Sequence, residues 1–137
     1  MERTFMHEAA FTAFAHGFAG TLRAGDVVGL SGPLGAGKTT FVRAVAQELT
    51  GRLNASSPTF TFWHRYAGDP PVDHLDLYRI ADVCELRELG LEEAFEGDSI
   101  VLIEWWENAG GHLPAPRYEI AIAGKGDEPR TVRVTQR

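Results

Sequence analysis

The first part of the chain carries apolar residues at intervals of three and four positions, with polar residues between them. This spacing gives a helix one apolar face, and it predicts a helix from about Glu8 to Gly20. The apolar face consists of Phe11, Phe14, Ala15, Phe18 and Leu22. We expect these side chains to pack in the hydrophobic core.

A change of pattern after this helix predicts a strand and a second helix with a loop between them. Residues 26–31 form a short, mostly apolar run, as in a buried strand, and residues 41–49 return to helical spacing. Thr50 and Gly51 then supply a stop signal for the second helix. The glycine-rich residues 32–40 therefore connect a strand to a helix.

The middle of the chain has the pattern of a β-hairpin. Residues 54–58 are mostly polar and predict a loop, and residues 59–66 are rich in aromatic and β-branched side chains, as a strand would be. Residues 68–71 combine Gly, Asp and two Pro and predict a turn. Because residues 72–78 then alternate, we expect them to form the second arm of the hairpin.

A further helix and a buried strand follow. Asp82 with Glu85 three residues later resembles a capping box, so a helix is expected over about 82–89. Residues 91–95 are consistent with another helical turn. The four consecutive aliphatic residues at 100–103 predict a strand that is buried on both faces.

The loop at residues 32–40 matches the template of a phosphate-binding loop. Its glycines, lysine and first threonine fill G-x-x-x-x-G-K-[ST] between a strand and a helix, where this motif occurs. Glycines let backbone N–H groups surround phosphate oxygens, Lys38 would bridge the β- and γ-phosphates, and Thr39 would coordinate Mg²⁺. The residues expected to bind ATP are Pro33, Leu34, Gly35, Ala36, Gly37, Lys38, Thr39 and Thr40.

The chain ends in a second predicted hairpin, with arms at 118–123 and 131–135. Strands interleaved with helices, together with the phosphate loop, favour an α/β fold. We expect a three-layer P-loop NTPase-like core with a mixed sheet and added β-hairpins. No repeat or long linker divides the sequence, so residues 1–137 are expected to form a single P-loop nucleotide-binding domain.

Composition limits the kinds of partner. The net charge of −6 argues against a surface that grips DNA or RNA, because phosphate contacts need clustered Lys and Arg. If RNA is involved, a partner protein should hold it. The first residues lack the apolar core of a signal peptide, and no apolar run approaches the roughly 20 residues that span a bilayer. We therefore expect a cytoplasmic protein with no membrane association.

Two acidic residues are candidates for catalysis. Glu104 follows the apolar run 100–103 and lies at the carboxyl end of a buried strand, where ligands of open α/β sheets bind. It is either a residue that organises the metal or a solvated charge at a strand end. Alternation places His74, Asp76 and Tyr78 on one strand face, which is either catalytic or simply the wet side of a hairpin. His74 alone is typical of a hydrogen-bonded structural histidine.

Four segments in this order resemble the TsaE family, also called YjeE, whose members are small bacterial ATPases needed for making threonylcarbamoyladenosine on tRNA. The segments are Gly-Pro-Leu-Gly-Ala-Gly-Lys-Thr-Thr at 32–40, Ser-Pro-Thr-Phe at 57–60, His-Leu-Asp-Leu-Tyr-Arg at 74–79 and Ile-Glu-Trp at 103–105. The resemblance implies an ATPase that uses Mg-ATP and works with the proteins TsaD and TsaB. It also implies that tRNA, modified at adenosine 37, is reached only through these partners.

The resemblance also implies roles for individual residues. Lys38 and Thr39 would bind ATP and Mg²⁺, Asp76 would be part of the hydrolytic centre, and Glu104 would organise metal or water. Which of the two acids holds the metal and which activates water stays open.

Thr59 would belong to a switch segment around the γ-phosphate, and the ring of Trp105 would lie near the nucleotide or in the core.

Two positions depart from the family pattern, which commonly has an acid in place of Pro33 and Pro in place of Trp106. Pro33 removes one backbone N–H from the loop. Trp106 puts the details of the partner contact in doubt and leaves the ATPase interpretation intact.

Three other functions use the same loop. A kinase normally adds a lid with arginines, whereas only Arg79 and Arg87 lie near the middle of this chain. A GTPase needs an Asn/Thr-Lys-x-Asp stretch, and residues 124–127 read Gly-Lys-Gly-Asp. A nucleotide-binding scaffold that scarcely hydrolyses ATP is not separated from an ATPase by sequence. We expect hydrolysis to be slow until partners order the switch segment.

Overall fold

The computed structural model describes residues 1–55 and 62–137, which form a seven-stranded sheet with helices. The strands are β1 (Glu2–Phe5), β2 (Val27–Ser31), β3 (Trp63–Tyr66), β4 (Val72–Asp76), β5 (Ile100–Glu104), β6 (Tyr118–Ala123) and β7 (Arg130–Gln136). The helices are α1 (Glu8–Ala19), α2 (Lys38–Thr50) and α3 (Cys84–Glu88), and two 3₁₀-helices span Leu91–Phe95 and Trp106–Ala109. Across these described residues, no helix is long and apolar enough to cross a membrane.

The sheet is mixed, as the sequence predicts. Its strands lie in the order β1-β7-β6-β2-β5-β4-β3. The central strands β6, β2, β5 and β4 are parallel to one another, and β3, β7 and β1 are added antiparallel to their neighbours. Both predicted hairpins, β3–β4 and β6–β7, are therefore confirmed. Because parallel strands end at the same edge, the segments that follow β2, β4 and β5 are neighbours in space.

Apolar side chains cover both faces of the central strands. Val28 and Leu30 of β2 pack with α1 and α2, whereas Val27 faces the opposite side, with α3 and the 3₁₀-helices. This alternation follows from the two-residue period of a strand. Aromatic rings fill much of the first layer, where the centroids of Phe11 and Phe41 lie 5.9 Å apart. The two apolar layers on either side of one sheet confirm the predicted three-layer α/β class.

Some element boundaries differ from the sequence predictions. Strand β1 has no counterpart there, because its four residues are largely exposed and its order comes from pairing with β7. Strand β4 ends at Asp76, two residues early, since the Tyr78 N–H donates to Asp76 Oδ1 (3.0 Å) instead of continuing the ladder. The predicted beginning of the preceding strand, at 59–61, lies outside the described residues.

Gly32 lies where the chain leaves β2 and passes close to β6. Its φ is +143°, and a Cβ atom at this position would lie 2.2 Å from the carbonyl oxygen of Ile122. Gly35 also has a positive φ, +82°, but a Cβ atom there would meet nothing within 4 Å. A side chain at Gly32 would therefore clash with backbone, whereas a side chain at Gly35 would only strain the backbone angle.

We expect Gly32→Ala to lower the free energy of unfolding by about 3 kcal/mol, because overpacking and backbone strain add at this position. Gly35→Ala is the matched control and should cost about 1 kcal/mol, from backbone strain alone. Urea unfolding followed by circular dichroism measures both values. Equal losses in the two variants would contradict the close packing of Gly32 against β6.

Candidate functional site

The loop between β2 and α2 is shaped by residues with positive φ. Gly37 has φ +106° and immediately precedes α2, whose first residue is Lys38. The Phe41 N–H donates to the Gly37 carbonyl at 2.9 Å, so regular helical bonding starts at the end of the loop. Helix α2 is 13 residues long, and its positive N-terminal end lies next to the loop. This is the arrangement in which a helix N-terminus binds an anion.

The Lys38 ammonium is held inside the loop. Nζ donates to the carbonyl oxygens of Gly32 (2.6 Å) and Pro33 (2.9 Å), and the residue is only 4% exposed. Nζ also lies 4.2 Å from the centroid of the Trp105 ring. Burial lowers the pKa of Lys38 below its ordinary value, although the nearby negative charges, chiefly that of Glu104, act in the opposite direction. Two backbone carbonyls and an aromatic ring therefore hold the ammonium next to the loop.

Thr39 and Glu104 join the start of α2 to the end of β5. The Thr39 hydroxyl lies 2.9 Å from both Glu104 Oε1 and Oε2, and Glu104 is only 3% exposed. Burial by itself raises the pKa of this carboxyl group. Hydrogen bonds from His74 and Thr39, with the charges of His74 and Lys38, outweigh burial and hold the pKa below its ordinary value. Glu104 is therefore a buried carboxylate facing a hydroxyl group.

His74 contacts the same carboxylate from the neighbouring strand. Its Nε2 lies 2.5 Å from Glu104 Oε2, and both side chains are buried. The sequence suggested a structural histidine here, and it gave no sign of this contact because the pairing of β4 with β5 is not encoded locally. An ionised carboxylate can only accept a hydrogen bond, so Nε2 carries the proton in this contact.

Asp76 ends β4 directly beside Glu104. The two residues are paired in the parallel ladder between β4 and β5, and Asp76 is partly exposed. Its Oδ1 accepts the N–H of Tyr78 at 3.0 Å. The structure thus brings together both predicted acids, with Glu104 against Thr39 and Asp76 nearer to solvent.

The two tryptophans after β5 point to different parts of the molecule. Trp105 is a non-glycine residue with positive φ (57°), and its ring packs against that of Tyr78 at a tilt of 46°, with centroids 5.1 Å apart. Trp106 packs instead over Gly29 of β2, where an added Cβ would lie 2.6 Å from the indole. Trp106, where the family commonly has Pro, therefore fits because Gly29 has no side chain.

A cavity of about 270 Å³ opens at the loop and collects most of the predicted site residues. Its walls are formed by Leu34, Gly35, Gly37, Lys38, Thr39, Thr40, Asp76, Tyr78, Glu104 and Trp105. Pro33 and Ala36 belong to the loop but not to this wall: Ala36 is fully buried, and Pro33 presents its carbonyl to Lys38. Thr59 lies outside the described residues.

Sequence reasoning missed Arg130, which holds the loop from the other side. Its Nε donates to the Ala36 carbonyl at 2.8 Å and its Nη2 to the Gly35 carbonyl at 3.4 Å. The same guanidinium binds the carbonyls of Gly126 (3.0 Å) and Glu128 (2.6 Å) in the turn before β7. An arginine at the start of a terminal strand carries no motif, so the sequence offered no signal for this role.

A second cavity of about 390 Å³ adjoins the loop on this side. It shares Gly35, Gly37 and Thr40 with the first cavity. The remaining wall comes from the segment before and within α1 and from the β6–β7 turn, through Phe5, Met6, His7, Glu8, Phe11, Gly126, Asp127, Glu128 and Arg130. Its size is within the usual range for small-molecule sites.

The oxygen ligands at the first cavity suit Mg²⁺. Hydroxyl and carboxylate oxygens are the hard donors that this ion prefers, and it is usually bound through one or two carboxylates together with substrate phosphates. Within the part of the chain that the structure describes, no group of three or more His, Cys, Asp or Glu side chains could hold a metal ion alone. Thr39 and Glu104 therefore fit an ion that arrives together with a phosphate ligand.

Comparisons with known proteins agree with one another. The family model described as "Threonylcarbamoyl adenosine biosynthesis protein TsaE" matches residues 5–132. The tRNA threonylcarbamoyladenosine biosynthesis protein TsaE of Bacillus subtilis is 42% identical over 81% of this chain and 70% of its own length. The Rickettsia bellii protein of the same name is 40% identical over 89% of this chain and 85% of its own length.

A solved structure resembles the whole fold. The crystal structure of Bacillus subtilis YdiB superposes with a TM-score of 0.80 and is 34% identical in sequence. The match covers 99% of this chain and 84% of that chain. With the family model matching most of the sequence and relatives at this level of identity, the chain belongs to the TsaE family, whose named members act in tRNA threonylcarbamoyladenosine biosynthesis.

Proposed function

We propose that this protein binds and slowly hydrolyses Mg-ATP and that it supports the TsaD–TsaB machinery that makes threonylcarbamoyladenosine on tRNA. The observation that carries the proposal is the contact of the Thr39 hydroxyl with both oxygens of the buried Glu104, beside the enclosed Lys38 ammonium. A hydroxyl, a carboxylate and an ammonium at the end of a phosphate loop are the groups that nucleotide hydrolysis needs in one place.

Each group has a distinct task in this proposal. Lys38 exchanges its bonds to the Gly32 and Pro33 carbonyls for phosphate oxygens and so neutralises charge on the β- and γ-phosphates. The Thr39 hydroxyl and the Glu104 carboxylate would hold Mg²⁺. When bound, Mg²⁺ offsets negative charge on the transferred phosphoryl group.

Asp76 orients the attacking water in the proposal. Its side chain reaches the first cavity from β4 and is more exposed than that of Glu104. A partly exposed carboxylate can exchange water with solvent, whereas a buried one committed to Thr39 and His74 cannot do so easily. This difference favours Glu104 as the metal organiser and Asp76 as the group that faces water.

The nucleoside half of ATP is proposed to occupy the second cavity. This cavity meets the loop at Gly35, Gly37 and Thr40, so one ligand can extend from it into the first cavity. Phe5 and Phe11 supply aromatic surface, and Glu8 and the β6–β7 turn supply polar groups. A planar base needs this combination of apolar faces and polar edges.

The proposed setting is the cytoplasm, with TsaD and TsaB as protein partners and tRNA bound by them. The supporting observations are the family membership and the net charge of −6, which disfavours direct contact with tRNA phosphates. The proposal includes slow hydrolysis by the isolated protein and faster hydrolysis when these partners bind.

Replacing Lys38 should weaken nucleotide binding. We expect Lys38→Ala to reduce ATP affinity by at least about 10-fold, because a charged hydrogen bond to phosphate is worth roughly 1.5–3 kcal/mol. Isothermal titration calorimetry with Mg-ATP measures the change. Arg87→Ala removes an exposed positive charge on α3 and is the control. Unchanged affinity in Lys38→Ala would refute the assignment of the phosphate loop.

Replacing either acid should separate binding from turnover. Glu104→Gln and Asp76→Asn are expected to retain ATP within a few-fold of the original affinity and to lose at least about 100-fold in single-turnover hydrolysis. The control is Glu92→Gln, which neutralises an exposed carboxylate away from the cavity. If either variant hydrolyses ATP at the original rate, the residue changed in it is not part of the hydrolytic centre.

Partner dependence tests the proposed function as a whole. Phosphate release from Mg-ATP is measured for the protein alone and after addition of TsaD and TsaB, with Lys38→Ala as the inactive control. We expect a low rate alone, a clear rise with the partners, and no activity from the variant. A rate of phosphate release that does not change when TsaD and TsaB are added would favour an independent ATPase or kinase.

A further inference from the structure

The buried carboxylate of Glu104 needs its orientation fixed if it is to serve a metal. A carboxylate group can rotate about its last side-chain bond, and each rotation changes which oxygen lone pairs face the first cavity. Thr39 cannot fix the orientation alone, because its hydroxyl lies at the same distance, 2.9 Å, from both oxygens. A second hydrogen bond, to one of the two oxygens, would restrict this rotation.

His74 makes this second hydrogen bond. Its Nε2 lies 2.5 Å from Oε2, whereas the structure records no corresponding bond from this nitrogen to Oε1. The imidazole approaches from β4, on a strand that pairs directly with β5, so the contact is set by the register of the sheet. The bond leaves Oε1 directed only toward Thr39 and the cavity.

The His74 ring is itself held in place. It is buried, and on its hairpin partner strand the directly paired residue is His64, whose ring centroid lies 5.9 Å away with an interplanar angle of 39°. A ring confined on β4 and bonded at Nε2 has little freedom to rotate. Its orientation is therefore transmitted to the carboxylate.

We propose that His74 is a positioning residue: its Nε2–H holds Oε2 of Glu104 so that the carboxylate presents Oε1, with the Thr39 hydroxyl, to a divalent cation bound with ATP. This inference rests on the proposed Mg-ATP function and adds a residue to it. In this proposal His74 bonds to the carboxylate and contacts neither metal nor phosphate; with Thr39 and Asp76 it also lines a further cavity of about 390 Å³. Partners of this kind typically change metal affinity by about 10- to 100-fold when they are lost.

Two substitutions at His74 separate hydrogen bonding from packing. H74F keeps an aromatic ring of similar shape and removes the donor, whereas H74Q places an amide N–H at a comparable reach from the backbone. H16F is the matched control, because His16 pairs with the exposed Glu48 (3.1 Å) between α1 and α2, away from the cavity. Circular dichroism and affinity for metal-free ATP check that each variant is folded.

The measurement is Mn²⁺ binding in the presence of a non-hydrolysable ATP analogue, followed by the electron paramagnetic resonance signal of free Mn²⁺. We expect H74F to weaken Mn²⁺ binding by about 10- to 100-fold while metal-free ATP affinity stays within a few-fold. H74Q should recover most of the loss, and H16F should match the original protein. Unchanged Mn²⁺ affinity in folded H74F would overturn the proposal.

A double-mutant cycle with E104Q tests whether the effect passes through the carboxylate. If His74 acts through Glu104, adding H74F to E104Q should change Mn²⁺ affinity by less than about 3-fold. A full additional loss in the double variant would assign His74 a general packing role and overturn the proposal. If H74F does not fold, H74N, whose shorter side chain brings its amide short of Oε2, replaces it in the same cycle.

The outcomes also separate this inference from the proposed function. Failure of the original protein to bind Mn²⁺ with the ATP analogue would overturn the proposed Mg-ATP function, and the role of His74 with it. If the original protein binds Mn²⁺ with the ATP analogue and H74F binds it equally tightly, only the role of His74 would be overturned.

Discussion

The buried charge of Glu104 is the constraint on which the rest of the site depends. A carboxylate removed from water is stable only if hydrogen bonds and opposite charge replace its hydration. Here Thr39 and His74 supply the hydrogen bonds, and the Lys38 ammonium supplies opposite charge. These groups come from the start of α2 and from β4, so the sheet must place β5 between β2 and β4 for the charge to be satisfied. The observed strand order does so.

A second constraint acts on the phosphate loop, whose carbonyl groups turn toward two cations. The carbonyls of Gly32 and Pro33 bind Lys38, and those of Gly35 and Ala36, on the other side of Leu34, bind Arg130. In a trans peptide the C=O and the following N–H point in opposite directions. The Pro33 and Ala36 carbonyls therefore direct the N–H groups of Leu34 and Gly37 away from these cations, whereas Pro33 has no N–H and the Ala36 N–H donates to the Pro33 carbonyl at 3.1 Å.

Local signals explain why much of the fold and part of the site could be read from the sequence. The phosphate loop is a contiguous pattern of Gly, Lys and Thr, and the position of Glu104 follows from an aliphatic run with an acid directly after it. The contacts of His74 and Arg130 could not be read in this way. His74 meets Glu104 only because β4 pairs with β5, and Arg130 reaches Ala36 across 94 positions of sequence. Strand β1 was missed because its pairing with β7 outweighs its weak local preference.

Arg130 also affects when the loop can be braced during synthesis of the chain. The loop occupies residues near 32–40, yet the cation that binds two of its carbonyls lies at the first position of β7, 94 positions after Ala36. As a ribosome releases the chain from its N-terminus, the motif emerges long before the residue that braces it. Bracing of the loop by Arg130 therefore waits until the β6–β7 hairpin has been made and has joined the sheet, and until then the Gly35 and Ala36 carbonyls lack this donor.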